Sequence, residues 1–415
     1  MGQTTALVLS GGGARGAYAA GVVAGIVEVL GATAGGPAPF GIFTGTSVGA
    51  INATFLAAHG DRGDLGVEAL EAVWRGLRLP VHVRIDPLRL LTGSRLAQST
   101  VGAAVGAGWR RLTGRKPAAT LGGSLLDPEP LDAVVRDAIP WTRLHGNLDA
   151  GRVRALVVAA LQVATGRTAV FHETCPGHAF RASKDPRREA VPARITAAHV
   201  LASAAIPLVF PARRIGAGWY CDGGLRFNTP IAPAIRAGAE RLVVVSLLHR
   251  PAVPRAVSEA EYPNLLFLMG KVLNALLLDP VAYDLQVLDR FNRLVDVLHD
   301  TLSPAERARV DAVLTRSRGL PYRKLETLVF TPSRDLGELA AEHLRVGGPP
   351  TVGWLGETLL RRAGQPGATW EDDLASYLLF DGGFAAQLIA LGKADVRARA
   401  DEVLRFFATP VSGTP

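Results

Sequence analysis

Two short runs carry the residues best suited to chemistry: Gly45-Thr46-Ser47-Val48-Gly49 and Asp222-Gly223-Gly224. The first fits G-x-S-x-G, in which flanking glycines let the chain bend sharply from strand into helix and push the serine hydroxyl out over the sheet edge. A hydroxyl so placed can attack an ester, although a serine between glycines is also an ordinary helix cap. A nucleophilic serine needs a base and a place for the negative charge that develops on the substrate. The glycine run Gly11-Gly12-Gly13-Ala14-Arg15-Gly16, on the preceding strand end, could turn backbone N–H groups toward such an oxyanion. A carboxylate is a feeble base toward a hydroxyl unless it is held close and partly desolvated. Asp222 follows the apolar Trp219-Tyr220-Cys221 and precedes two glycines, which suits a strand-end turn, though Asp-Gly is also common in plain turns.

Other residues offer competing chemistry. Gly11, Gly13 and Gly16 satisfy G-x-G-x-x-G, but a dinucleotide site expects an acidic residue at the end of the second strand, and Phe40–Thr44 carries none. His249, His299 or His343 could complete a conventional serine triad, yet none adjoins a Gly-rich strand end. His172, Glu173, Cys175 and His178 resemble a metal cluster only superficially, because no second ligand group of matching spacing follows; no metal and no cofactor are expected. Arg15 stands at a helix start, where the dipole disfavours a cation, which suggests a role in orienting the glycine loop or meeting a phosphate.

The elements that must hold these residues follow from pattern. Thr5–Leu9 reads as a buried strand, Ala17–Leu30 as a helix, Phe40–Thr44 as a second strand, and the run after Ser47 as a helix to Ala58. Strand, Gly turn, helix, repeated, marks a parallel α/β sheet. Strands are expected again at Val153–Ala160, Thr168–His172, Leu242–Ser246 and Leu325–Phe330, with a helix over Ile195–Ala205. Residues 263–300 read as helical, with Leu288, Phe291, Leu294, Val295 and Leu298 on one face. Leu79–Gly123 breaks the rhythm and reads as loops and short helices. Its stretch Leu88–Lys116, where Arg89, Arg95, Arg110, Arg111, Arg115 and Lys116 alternate with apolar residues, is expected to cap the site or meet lipid.

Composition narrows the class. At 48% hydrophobic and 20% charged residues, the 415-residue chain has a globular profile and can bury a large core. The net charge of +8 favours anionic membranes or nucleic acid, but aromatics are only 6% and no basic-aromatic interleaving occurs, so nucleic acid is not the expected partner. Cys175 and Cys221 are too few for a disulfide framework; they are expected as two reduced thiols, with a single bridge between them as the alternative. No signal peptide, myristoylation signal or membrane span is expected; the apolar run Leu265–Leu278 is too short to cross a bilayer.

Taken in order, Gly11–Gly16, Gly45–Gly49, Ala202-Ser203 with Pro207, and Asp222–Gly224 resemble the four ordered blocks of the patatin-like phospholipase family over residues 5–235. The resemblance implies a three-layer α/β/α sandwich with a mostly parallel sheet, and cleavage of acyl esters of phospholipids and related lipids without a metal. It implies a Ser47–Asp222 dyad, an elbow framed by Gly45 and Gly49, an acid turn at Gly223 and Gly224, and an oxyanion loop drawn from Gly11, Gly12, Gly13, Ala14, Arg15 and Gly16. Asp-Gly-Gly stands where many members have Asp-Gly-Ala. The expected organisation is a catalytic domain over 5–235 and a mostly helical extension over 236–415 packed on it. The expected setting is the cytoplasm, peripherally at the inner membrane surface, with an acyl-lipid substrate and transient membrane contact. Two alternatives remain: an α/β-hydrolase with a histidine base, and a non-catalytic lipid binder on the same fold.

Overall fold

In a computed structural model of the chain, which describes residues 4–82, 84–85, 126–207, 209–249, 279–347 and 371–408, a nine-stranded sheet forms the centre. Five strands run parallel: β1 (Thr5–Leu9), β2 (Ile42–Thr46), β5 (Ala155–Gln162), β10 (Arg241–Val245) and β11 (Glu326–Phe330). Their order is β11-β10-β1-β2-β5, continued by β6 (Thr168–Thr174), antiparallel to β5, and β7 (Arg188–Pro192). A small separate sheet pairs β3 (Arg84–Ile85) with β4 (Leu126–Asp127). The basic stretch Leu88–Lys116 and the apolar run Leu265–Leu278 lie outside the described residues.

Side chains on a strand alternate between faces, and here both faces are covered. On β1, Leu7 and Leu9 enter the larger core while Ala6 and Val8 enter the smaller one; on β10, Val243 and Val245 divide from Leu242 and Val244 in the same way. The larger core lies under helices α1 (Gly16–Val29), α2 (Val48–Ala58) and α3 (Val67–Gly76) together with Gly382–Arg397. The smaller is closed by helix Ile231–Arg236 and by Leu285 and Leu288 of helix Asp279–Thr301. The result is an α/β/α sandwich. On that last helix Leu294 points outward at 42% exposure, so over Leu288–Leu298 the expected apolar face is narrower than its spacing suggests, while residues 263–278 lie outside the described residues.

The sheet continues past residue 235 through β10 and β11, and helix Gly382–Arg397 packs along α1. The Tyr18 hydroxyl donates to Asp395 Oδ2 at 2.9 Å, and Lys393 reaches Glu28 at 2.9 Å. The second strand sits two residues later than the expected Phe40–Thr44. Pairing with β1 begins at Ala6 opposite Ile42, so Gly45 and Thr46 are still strand and the bend falls on Ser47.

One feature of the topology brings distant residues together. β6 occupies one edge of β5 along residues 155–161, so β9 (Gly218–Asp222) must use the other edge, which it shares with β2. β2 runs along that edge until Thr46 lies opposite Ala159; β9 runs the other way until Asp222 lies opposite Ala160. The two strands meet end to end, and the residues at the meeting point are Ser47 and Asp222. A hairpin with β8 (Arg213–Ile215) supports β9 from its far side.

Candidate active site

Ser47 is a non-glycine residue at φ 54° and ψ −131°, a conformation that ordinary side chains avoid. The bend is possible because the glycines around it bring backbones into contact. A Cβ on Gly45 would lie 2.2 Å from the Gly49 carbonyl oxygen, and one on Gly49 would lie 2.3 Å from the Leu9 carbonyl oxygen. Ser203 fixes the elbow: its Oγ accepts from the Ser47 N–H at 2.9 Å and donates to the Ala159 carbonyl at 2.6 Å. Ser203 ends the helix Ala197–Ser203, whose capping box joins Thr196 to His199.

Asp222 is completely buried. Its N–H donates to the Ala205 carbonyl at 2.9 Å, and its Oδ1 accepts from the Gly224 N–H at 2.7 Å. The Gly223 N–H reaches the Ser203 carbonyl at 3.4 Å. Oδ2 forms no complete hydrogen bond, so one carboxylate oxygen is desolvated and unpaired. Burial pushes the carboxyl up to about 7, against the smaller opposing pull of the Ser47 hydroxyl and the Gly224 N–H. The neighbouring Cys221 thiol is pushed up to about 11 by burial and by the Asp222 charge, which leaves it protonated and inert. Neither cysteine is disulfide-bonded.

The glycine run lies against the elbow, and a Cβ on Gly11 would be 2.8 Å from Ser47 Cβ. Its members divide into different roles. The Gly11 N–H is committed to Asn228 Oδ1 at 3.0 Å, and Asn228 Nδ2 donates back to the Gly11 carbonyl at 3.3 Å. Gly13–Arg15 then forms a single 3-10 turn, whose first N–H groups, on Gly13 and Ala14, have no acceptor within the turn. Gly13 has φ +57° and faces the cavity beside Ser47. Arg15 is buried, so it does not present its charge to a lipid phosphate; its Nε donates to Ser376 Oγ at 2.7 Å and its guanidinium lies 4.1 Å over the Tyr377 ring.

Ser47 opens into a cavity with almost wholly apolar walls, among them Ile51, Phe55, Trp74, Leu131, Phe210 and Phe380. The exception is an ion pair in the wall, where Arg213 reaches Asp132 at 2.6 Å and its own Nε is left buried without a partner. No histidine lines this cavity among the described residues. His249 Nδ1 faces the Pro332 carbonyl, His299 meets Arg307, and His343 bonds Asp381, so none of the three triad candidates is engaged at Ser47.

Among the described residues there is also no cluster of metal-binding side chains. His172 stacks on Phe180, Glu173 bonds His145 and the Ile195 N–H, and His178 meets the Ala237 carbonyl. Nor is any described helix long and apolar enough to cross a membrane.

Residues 7–235, more than half of the chain, match the family model described as patatin-like phospholipase. The chain belongs to the patatin-like phospholipase family. That membership makes it a lipid acyl hydrolase at the level of the family. A further likeness, to the crystal structure of VipD from Legionella pneumophila, has 12% identity and a TM-score of 0.28 over 100% of this chain and 93% of that one, too weak to carry an argument. No curated protein is significantly similar to the chain.

Three groups of this patatin-like site escape a reading of its sequence. Asn228, which holds Gly11, sits in an ordinary Phe-Asn-Thr-Pro turn. The Asp132–Arg213 pair joins residues from two unremarkable segments. Ser376 and Tyr377 lie far beyond the matched region, and nothing in their surroundings marks them.

Proposed function

We propose that this chain hydrolyses carboxylic esters of phospholipids through Ser47 and Asp222, with the glycine turn receiving the oxyanion. The observation that carries the reading is the buried Asp222 carboxylate, one oxygen unpaired and its proton affinity raised to about 7, at the strand end that meets Ser47. An ordinary aspartate would be a weak base, whereas a group titrating near 7 combines a useful ionised fraction with a useful driving force for proton transfer.

In the first half-reaction the Ser47 Oγ forms a bond to the ester carbonyl carbon while its proton passes to Asp222 Oδ2. The carbonyl π electrons move onto oxygen, where the N–H groups of Gly13 and Ala14, with Gly12 beside them, and the positive end of α2 offset the charge. Collapse breaks the bond to the leaving alkoxide, which takes the proton from Asp222, and an acyl-serine remains. Water then repeats the sequence, with Asp222 as base, and releases the fatty acid. The apolar cavity holds the acyl chain. Arg213 supports an anionic headgroup, because an unpaired guanidinium donor in an apolar wall is costly until a phosphate or similar group reaches it. Such substrates lie in membranes, and the chain's net positive charge favours anionic surfaces.

Product analysis on mixed phospholipid vesicles tests the reading, with fluorophosphonate labelling beside it. Wild type should release fatty acid and label once, and Ser47→Ala should do neither. Lipid binding without turnover or labelling would favour the non-catalytic alternative instead.

Headgroup recognition has its own test. Arg213→Gln, made together with Asp132→Asn so that no lone charge is left buried, should lower the ratio of phospholipid to neutral-ester kcat/KM by roughly tenfold or more, the worth of one charge-assisted hydrogen bond. An unchanged ratio would remove Arg213 from the headgroup site.

A further inference from the structure

The glycine turn owes its position to a part of the chain well beyond the family match. Glycines carry more conformational freedom than any other residue, and oxyanion donors help only when they are fixed before the charge appears. Something must therefore hold residues 11–16. Helix Glu371–Leu378 lies against the turn. Ser376 is fully buried and accepts from Arg15 Nε; the Tyr377 ring is buried under the Arg15 guanidinium. The Tyr377 backbone also touches the turn, since a Cβ on Gly13 would lie 2.2 Å from the Tyr377 carbonyl oxygen.

The same segment continues along the cavity. Tyr377, Leu378 and Phe380 all face it, and Phe380 stacks on Trp74 with ring centroids 6.4 Å apart and planes within 9°. Trp74 is in turn fixed by Asn52, its Nε1 donating to Asn52 Oδ1 at 3.1 Å. Behind Phe380, the Gly382 N–H donates to the Leu77 carbonyl at 2.7 Å, and helix Gly382–Arg397 is packed on α1. Residues 376–380 are thus clamped at both ends, with one end on the glycine turn and the other on the cavity wall. A buried arginine at a helix start opposes the helix dipole, and the hydroxyl and aromatic face offered by Ser376 and Tyr377 offset that cost.

We infer that residues 376–380 are a working part of the ester-cleaving site proposed above: Ser376 and Tyr377 position the oxyanion turn through Arg15, and Phe380 limits how the acyl chain lies. Tyr377 and Ser376 touch no reacting atom; they act through the turn. The inference rests on the ester-hydrolase reading, and the two fail differently.

The test uses the full chain and p-nitrophenyl esters of graded acyl length, with melting temperature measured on each variant. Tyr377→Leu should lower kcat on a short ester by about tenfold to a hundredfold with little change in KM, since a misplacement of about 1 Å can cost a hundredfold. Tyr377→Phe, which keeps the ring under Arg15, should restore most of the loss. Ser376→Ala, a smaller change, should give a smaller loss of the same kind. Phe380→Ala should move the preferred acyl length upward.

Full turnover in Tyr377→Leu and Ser376→Ala would overturn the positioning role. So would a loss that Tyr377→Phe fails to restore, or one that follows the folded fraction alone. An unmoved length preference in Phe380→Ala would overturn the wall. If wild type showed no Ser47-dependent turnover of any ester, the hydrolase reading would fall and this inference with it.

Discussion

Asp222→Asn is expected to lose about 10²- to 10⁴-fold in kcat/KM, the usual worth of a positioned acid–base group, and to gain stability at alkaline pH. Both effects come from one fact, the burial that lifts the carboxyl to about 7. In the wild type, kcat/KM should rise with pH along an acid limb centred near 7, because only the ionised carboxylate can take the serine proton. The direction for stability is opposite. In the folded chain Asp222 keeps its proton up to about 7, whereas the unfolded chain releases it near the ordinary value of 3.8. The folded state therefore binds more protons across that window, and stability is lost as pH rises through it. Asparagine cannot ionise, so its advantage should already be present at pH 5.5 and be larger by about 2 kcal/mol at pH 8, the span from 5.5 to the folded value of about 7. Denaturant unfolding of both proteins at the two pH values reads the difference. A variant that is inactive but equally destabilised at both would show that Asp222 carries no burial penalty.

How much of this site could be read in advance follows from sequence distance. β1, β2 and the turns after them are continuous segments, so their apolar runs and glycines announced both the parallel sheet and the elbow. Even there the strand boundary slipped by two residues, since Gly45 and Thr46 look like turn residues and yet pair with β5 at Val158 and Ala159. Asp222 could be singled out, but not its neighbour, because the end-to-end meeting of β2 and β9 depends on which edge of β5 β6 leaves free. The Arg15–Ser376 contact spans 361 residues, and neither residue type in its local setting points to the other. Arg213 was silent for a similar reason. In sequence it is one of many arginines, and only the cavity around it makes its unpaired Nε unusual.

Ser47→Gly and Ser47→Ala should be equally inactive and unequally stable. Either substitution removes the oxygen proposed to attack the ester, and turnover should fall on the order of 10⁴-fold or more, leaving what the proposed oxyanion turn and binding supply. Stability should separate them because the backbone at residue 47 is held at φ 54° and ψ −131° by its surroundings. The Ser47 N–H is tied to Ser203 and the flanking glycines are packed against backbone, so the elbow cannot relax to suit alanine. A side chain in that region stores about 1–3 kcal/mol, which glycine releases, while glycine's freedom in the unfolded chain returns about 0.5–1 kcal/mol of the gain. Ser47→Gly should therefore exceed Ser47→Ala by about 1 kcal/mol in chemical denaturation, with unchanged m-values. A glycine variant no more stable than the alanine one would mean that the bend is unstrained. The nucleophile would then be presented by side-chain choice alone, without a backbone that favours chemistry over stability.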